Sequence, residues 1–256
     1  MTYTRIDAAT LSELLSGENV AAELRAAWGD IAYSVPELGA LAMDEGGVSR
    51  LHKDNVAHTI AVTAKTPDRL RVRLTGLFHD VGKPPTRRIE DGVVTFHNHE
   101  AVGGKMTRSV LARLGYEPAL VHDVSRLVRL SGATKGSLGW GDAAVRRLAR
   151  EAGDLLGDLL DFAAVDVTSR HAHKHEAVAH EISTLRWRLA EVAESDARAA
   201  WRPALSGEDI MALYGLAPGR EVGRLMRALS DASREDETWS YERAVAWLTN
   251  WRAANS

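Results

Sequence analysis

LRVRLTGLFHDVGKPPTRRIEDGVVTFHNHEAVGGK, running from Leu70 to Lys105, decides how this chain is read. Leu70, Leu74, Leu77, Phe78 and Val81 recur at helical spacing and predict a helix with one apolar face over 70–81. Gly82 and Pro84 supply its stop. Val93 to Phe96 is β-prone and follows Asp91-Gly92, so it reads as a lone extended strand or one arm of a hairpin. A second helix is expected from His99 to Leu114, with Gly115 as its C-cap. His79-Asp80 therefore closes one helix, and His97 and His99 stand at the mouth of the next.

Upstream, Leu11, Leu14 and Leu15, then Val20 and Leu24, recur at helical spacing, and Pro36 ends that region. Asp44 to Gly47 reads as a loop. Asp54 starts a helix that carries His58, with His52 just before it. Downstream, another helix begins near Pro118. Ser131 to Gly141 holds four glycines in eleven residues and is the clearest interior loop. Helices are expected over 142–150 and 154–167. The run Arg170 to His175 leads into a long amphipathic helix through Leu185, Leu189 and Val192. Trp201-Arg202-Pro203 breaks it, and Ser206 opens a tail of short, Trp-rich helices. The fold class this predicts is all-α.

With 256 residues, 45% hydrophobic and 26% charged, the chain has the composition of an ordinary soluble protein. No apolar run reaches the roughly 20 residues that span a bilayer, and the first residues lack the pattern of a secretory signal. These features suit the cytoplasm. A net charge of −3 gives no support for a strongly basic nucleic-acid binder, although local basic clusters remain compatible with it. There is no cysteine, so any metal must sit on His, Asp, Glu and water.

His79-Asp80 is the sharpest chemical feature. An imidazole and a carboxylate on adjacent residues can turn to one divalent ion, and N/O ligands suit Mn, Fe, Co, Ni, Zn or Mg. His58, on the preceding helix, is a third candidate ligand. A final carboxylate would close the site. Asp161 and Asp166 both lie in the apolar stretch LLGDLLDFAAVDVTSR, where an unpaired carboxylate is costly; a salt bridge to arginine is the alternative for either. His97 and His99, two apart in an extended segment, point the same way and could hold a phosphate or protonate a leaving group. Lys83, Arg87 and Arg88 follow directly and could bind an anionic substrate. The His171, His173, His175 run reads as a solvated or substrate-facing loop. Trp239, Trp247 and Trp251 read as core.

These blocks resemble the HD superfamily of metal-dependent phosphohydrolases, whose ligand pattern is H…HD…D. The likeness is greatest to the HD portion of bacterial tRNA nucleotidyltransferases (CCA-adding enzymes), through LHKDNVAHT, LFHDVGKPPTRR, GVVTFHNHEAVGGK, GDAAVRRLAREAGDLL, AAVDVTSR and LSGEDIMALYGLAPGREVGRLMRAL. The resemblance implies an all-α HD helical bundle over 46–200, neck-like helices over 1–45 and a smaller C-terminal helical extension over 201–256. It puts the metal on His58, His79, Asp80 and Asp166, with Asp161 as the fallback.

Two departures stand out. The family's nucleotidyltransferase head, with its glycine-rich loop and paired carboxylates, has no counterpart here, so CCA addition is not expected. Where the family usually carries histidines after Leu127-Val128, this chain reads Arg129-Leu130-Ser131-Gly132, which favours one metal over two. The expected activity is hydrolysis of phosphoesters in nucleotides or RNA ends: 2′- or 3′-phosphomonoesters or 2′,3′-cyclic phosphates. Asp80, Lys83 and His99 would carry the chemistry, and His97, Arg87 and Lys83 would hold substrate. The rival reading is a tRNA-binding protein with a vestigial site, docking a tRNA-like stem on Arg170, Lys174, Arg186 and Arg188. A di-iron oxygenase is a third reading, but it needs more histidine ligands than the departure at Ser131 leaves.

Overall fold

The computed structural model describes residues 2–42, 54–167, 171–234 and 239–255. Asp44 to Gly47, His52 and Arg170 lie outside them. Two compact units emerge, Met1–Val192 and Ala193–Ser256. The described residues are almost wholly helical, with a single two-stranded sheet.

The first unit begins with α1 (Ala8–Leu14), α2 (Val20–Ser34) and α3 (Pro36–Gly39). It continues through α4 (Asn55–Lys65), α5 (Leu70–Phe78), α6 (Lys83–Thr86), β1 (Arg88–Glu90), β2 (Val93–Thr95), α7 (His99–Leu114) and α8 (Pro118–Leu130). Next come α9 (Asp142–Ala152), α10 (Leu156–Ala163) and α11 (Ala172–Ala200), whose last turns run on into the second unit. The second unit holds α12 (Gly207–Tyr214), α13 (Arg220–Ser233) and α14 (Tyr241–Ala254).

Leu11, Leu15, Leu24, Ile31 and Leu38 from α1–α3 share one buried cluster with Ile60, Leu74, Leu77, Phe78, Leu111 and Val124. The helices read as neck-like thus contribute to the first unit's core. A second cluster joins Leu127 and Leu130 of α8 to Val145, Leu148, Leu159, Ile182 and Leu185. The second unit has its own core of Leu205, Ile210, Leu225, Leu229 and Leu248. Trp239, Trp247 and Trp251 pack partly buried against that core. Ser206 and Asp209 form a capping box at the start of α12.

Local signals act where expected. The Asp54 carboxylate caps α4 by accepting from the Ala57 N–H at 2.9 Å. β1 and β2 are antiparallel, with Ile89 opposite Val94 and Glu90 opposite Val93. Their two-residue turn is Asp91-Gly92, both with positive φ (51° and 78°), the backbone a tight hairpin requires.

Three boundaries differ from the sequence reading. α5 stops at Phe78 rather than Val81. Lys83-Pro84-Pro85 does not merely end a helix but starts α6, because proline fits a first helical turn, where its missing N–H has no intrahelical partner. The His171–His175 run is already entering a helix: His173 and His175 lie in the first turn of α11, and the His171 carbonyl accepts from the Lys174 N–H.

Candidate metal centre

His58, His79 and Asp80 are buried, and Asp166 is half-buried. Their reach for one another starts from the backbone. Gly76 lets α5 lie directly against α4: a Cβ there would stand 2.9 Å from the Thr63 Cα. That close crossing brings His58, on α4, within range of His79, the residue that ends α5. Phe162 of α10 backs the His79 ring at 5.4 Å between centroids. Asp166 lies beyond the end of α10, not on the helix as its sequence context suggested. Its N–H still donates to the Phe162 carbonyl, at 3.1 Å, and this bond turns the carboxylate back toward the histidines.

The geometry is tight. His58 Nε2 is 3.2 Å from His79 Nε2, 3.3 Å from Asp166 Oδ1 and 3.7 Å from Asp80 Oδ2. His79 Nε2 is 3.2 Å from Asp80 Oδ2 and 3.6 Å from Asp166 Oδ1. Donors around a tetrahedral ion at about 2.1 Å stand about 3.4 Å apart, and adjacent donors of an octahedral ion about 3.0 Å. The five separations match that scale. His58, His79 and Asp166 form a ligand set whose donor atoms lie within 4.8 Å of one another, and Asp80 Oδ2 stands beside both imidazoles. His79 Nδ1 lies 2.8 Å from the Gly76 carbonyl, so it carries the proton and leaves Nε2 facing the centre. Two imidazole nitrogens and one carboxylate oxygen, from His58, His79 and Asp166, thus fit a divalent cation held by N/O ligands.

Electrostatics in the ion-free protein agree. Burial pushes the Asp166 carboxyl up, but the His58 hydrogen bond and the His79 charge overcome it and hold the pKa at about 2. Asp80 is likewise opposed by burial, yet His79 and Lys83 hold it well below the usual carboxylate range. For His79 burial pulls the imidazole down, and the neighbouring Asp80 and Asp166 carboxylates raise it above the ordinary value. The centre is therefore anionic and gathers positive charge.

Lys83 and His99 sit at its edge. Lys83 Nζ donates to Asp80 Oδ2 at 2.7 Å. His99 Nδ1 bonds the Phe96 carbonyl at 2.8 Å, and its Nε2 stands 3.9 Å from Asp80 Oδ1. His97 parts from His99, contrary to the expected common direction. Asn98 takes a left-handed conformation (φ 61°), which breaks the alternation of an extended chain. The His97 side chain is 70% exposed beside Glu90, whereas that of His99 is 17% exposed. Arg87 is half-buried just after α6, and Arg88 is exposed on β1.

Asp161 does not reach the centre. It pairs with Arg69 and Arg186 on another side of α10. Arg69 and Arg71 also hold Asp158, which is 3% exposed. Arg186 and Arg188, expected on an RNA-facing surface, are engaged by Asp161 and Asp142. Sequence reading missed the part played by Gly76 and Phe162. A glycine inside an apolar helix, where it costs helix propensity, was the available signal for a close approach.

The HD domain family matches residues 51–135, a stretch that includes His58, His79 and Asp80 and ends before Asp166. The CC-adding tRNA nucleotidyltransferase of Thermus thermophilus is 35% identical over 232 residues, covering 88% of this chain and 51% of that protein. The A-adding tRNA nucleotidyltransferase of Deinococcus radiodurans is 33% identical over 210 residues, covering 81% of this chain and 46% of its own length. The chain spans about half the length of the curated relatives it matches. No helix among the described residues is long and apolar enough to cross a membrane.

Proposed function

We propose that this chain, which carries an HD domain, is a metal-dependent phosphohydrolase that cleaves phosphoesters of nucleotides or RNA ends. The observation that carries the reading is the convergence of His58, His79 and Asp166, with Asp80 in contact with both imidazoles. These four would hold the ion. A divalent ion there would lower the pKa of a coordinated water and polarise a phosphoryl oxygen.

The protein's own groups supply the rest. Lys83, within reach of the Asp80 carboxylate, offsets charge on the phosphoryl oxygens. The Phe96 carbonyl holds the His99 ring by Nδ1, so Nε2 is the nitrogen that can hold a phosphate oxygen or give a proton to the leaving oxygen. Burial of His58, His79 and Asp80 limits water around them. Arg87 and His97 are the further substrate contacts in this reading. The RNA-end substrate class draws on the likeness to tRNA nucleotidyltransferases.

The test is phosphate release from a panel of mononucleotides, 2′,3′-cyclic nucleotides and 3′-phosphorylated RNA, with Mn, Ni, Co, Mg, Fe or Zn supplied. Release that disappears in His79→Ala and Asp80→Ala supports the reading. Protein that binds the ion and releases no phosphate from any member would reject it.

A further inference from the structure

α7 and α8 pack side by side as a hairpin, and Gly104 allows the close contact. A Cβ on Gly104 would stand 2.8 Å from the Ser125 carbonyl oxygen and 3.1 Å from the Arg129 Cβ. Beside that contact runs a groove of about 300 Å³, lined by Lys105 and Arg108 of α7 and by Ser125, Arg126 and Arg129 of α8. It gathers four cations and no carboxylate, in a chain whose formal net charge is −3. Lys105, Arg108 and Arg129 are exposed, and none has an acidic partner among the described residues. Arg126 gives one N–H to the Glu151 carbonyl at 2.6 Å. Four like charges in one groove repel one another, and an anion from outside would relieve that repulsion.

The groove is separate from the metal centre. With 3.6 residues per turn, Gly104, Lys105 and Arg108 stand about 140° to 240° round α7 from His99. His99 faces Asp80, so the cations occupy the other side of the helix. Lys105 and Arg108 are three residues apart, as are Arg126 and Arg129, which puts about 4.5 Å along the axis between the members of each pair. One phosphate needs one bidentate arginine. Two pairs of cations on neighbouring helices suit a succession of phosphates.

We propose that the α7–α8 groove binds the phosphodiester backbone of RNA and anchors the substrate away from the metal centre. The choice of RNA among polyanions rests on the RNA-end reading above; the groove itself does not.

The experiment is fluorescence anisotropy with a labelled RNA hairpin, titrated at salt from about 50 to 200 mM. Lys105→Ala with Arg108→Ala and Arg129→Ala should weaken binding at least about tenfold at low salt. It should also flatten the slope of log K against log salt by about 2 to 3, near one per lost contact. Arg25→Ala with Arg147→Ala and Arg150→Ala makes the same charge change on exposed arginines elsewhere and should stay within about twofold. Phosphate release from a mononucleotide should be the same in both triple variants. Lys105→Glu with Arg108→Glu is a second probe and should lose more affinity than the alanine set.

The proposal is overturned by wild-type affinity and slope in the groove variants, or by an equal loss in the control triple. It is also overturned if inorganic triphosphate displaces the RNA at equal phosphate concentration, which would mark a small-anion site. A protein that releases no phosphate would sink the proposed function, while the anisotropy would still decide on the groove.

Discussion

Gly82→Ala tests the architecture around the metal centre with a single methyl group. Gly82 has φ −80° and ψ −9°, a conformation alanine adopts freely, so no backbone strain is added. The obstacle is steric. An added Cβ would stand 2.1 Å from the His99 carbonyl oxygen, 2.6 Å from the Gly103 nitrogen and 3.0 Å from the Gly103 Cα. Restoring an ordinary contact of 3.4 Å to the His99 oxygen needs a shift of about 1.3 Å. Overpacking a core usually costs about 1–3 kcal/mol, and the upper figure applies where the atoms in the way are backbone with no rotamer to change. Loss of unfolded-chain entropy returns about 0.4–1 kcal/mol. The net destabilisation is then about 2 kcal/mol, which lowers Tm by about 4–8 °C for a unit of this size. The displaced element is the start of α7, which carries His99. The variant should keep its bound metal, because none of His58, His79, Asp80 and Asp166 lies on α7, and yet lose phosphate release. Calorimetry, metal analysis and phosphate release check the three parts separately. Gly157→Ala is the control: it is exposed, helical and has nothing within 4 Å of a built Cβ, so it should stabilise by about 0.5–1 kcal/mol. Equal Tm in Gly82→Ala and the wild type would refute the reasoning.

Three further expectations follow from the same geometry. Asp166→Ala should reduce bound metal sharply, whereas Asp161→Ala, which loses only the pairing with Arg69 and Arg186, should leave it intact; metal analysis after dialysis separates the two. Arg69→Ala combined with Arg71→Ala leaves the 3%-exposed Asp158 carboxylate without the two arginines that hold it, and denaturant unfolding should show a loss of about 3–5 kcal/mol. Metal affinity should rise with pH up to the raised pKa of His79, because ligation displaces the proton from that imidazole. Asp80 and Asp166 stay ionised throughout that range. In the ion-free protein the sign reverses. The raised His79 contributes stability that is complete below about pH 6.5 and fades as pH climbs through its folded value. Calorimetric titration with Mn across pH, and ion-free melting curves, measure the two.

Much of this was legible because its causes are local. Asp54 caps α4, Asp91-Gly92 turns the hairpin and Gly115, with φ 93°, ends α7 through backbone preferences that a few residues determine. His79-Asp80 was legible because adjacent residues share an element. Features set by distant chain were not. The end of α5 at Phe78 and the position of Asp166 beyond α10 depend on what His79 and the carboxylate must reach, and helical periodicity carries no record of that. Gly103-Gly104 inside α7 did leave a trace, two glycines in a helix interior, each costing about 1 kcal/mol of propensity. The structure gives the compensation. Gly103 lies against Gly82 and Val128, and Gly104 lies against Ser125 and Arg129.

The same glycines connect the cation-seeking centre and the anion-seeking groove. Through Gly103, α7 meets the turn that follows Asp80; through Gly104, one residue on, it meets α8 beside the four cations. A side chain at the first would move His99 away from Asp80, and one at the second would part the helices that hold Arg126 and Arg129 beside Lys105 and Arg108. α7 thus borders both the metal centre and the cationic groove. Gly104→Ala, whose Cβ meets the Ser125 backbone and only the near end of Arg129, should therefore disturb RNA affinity before it disturbs metal binding. The reverse order would mean that α7 does not act as a common spacer.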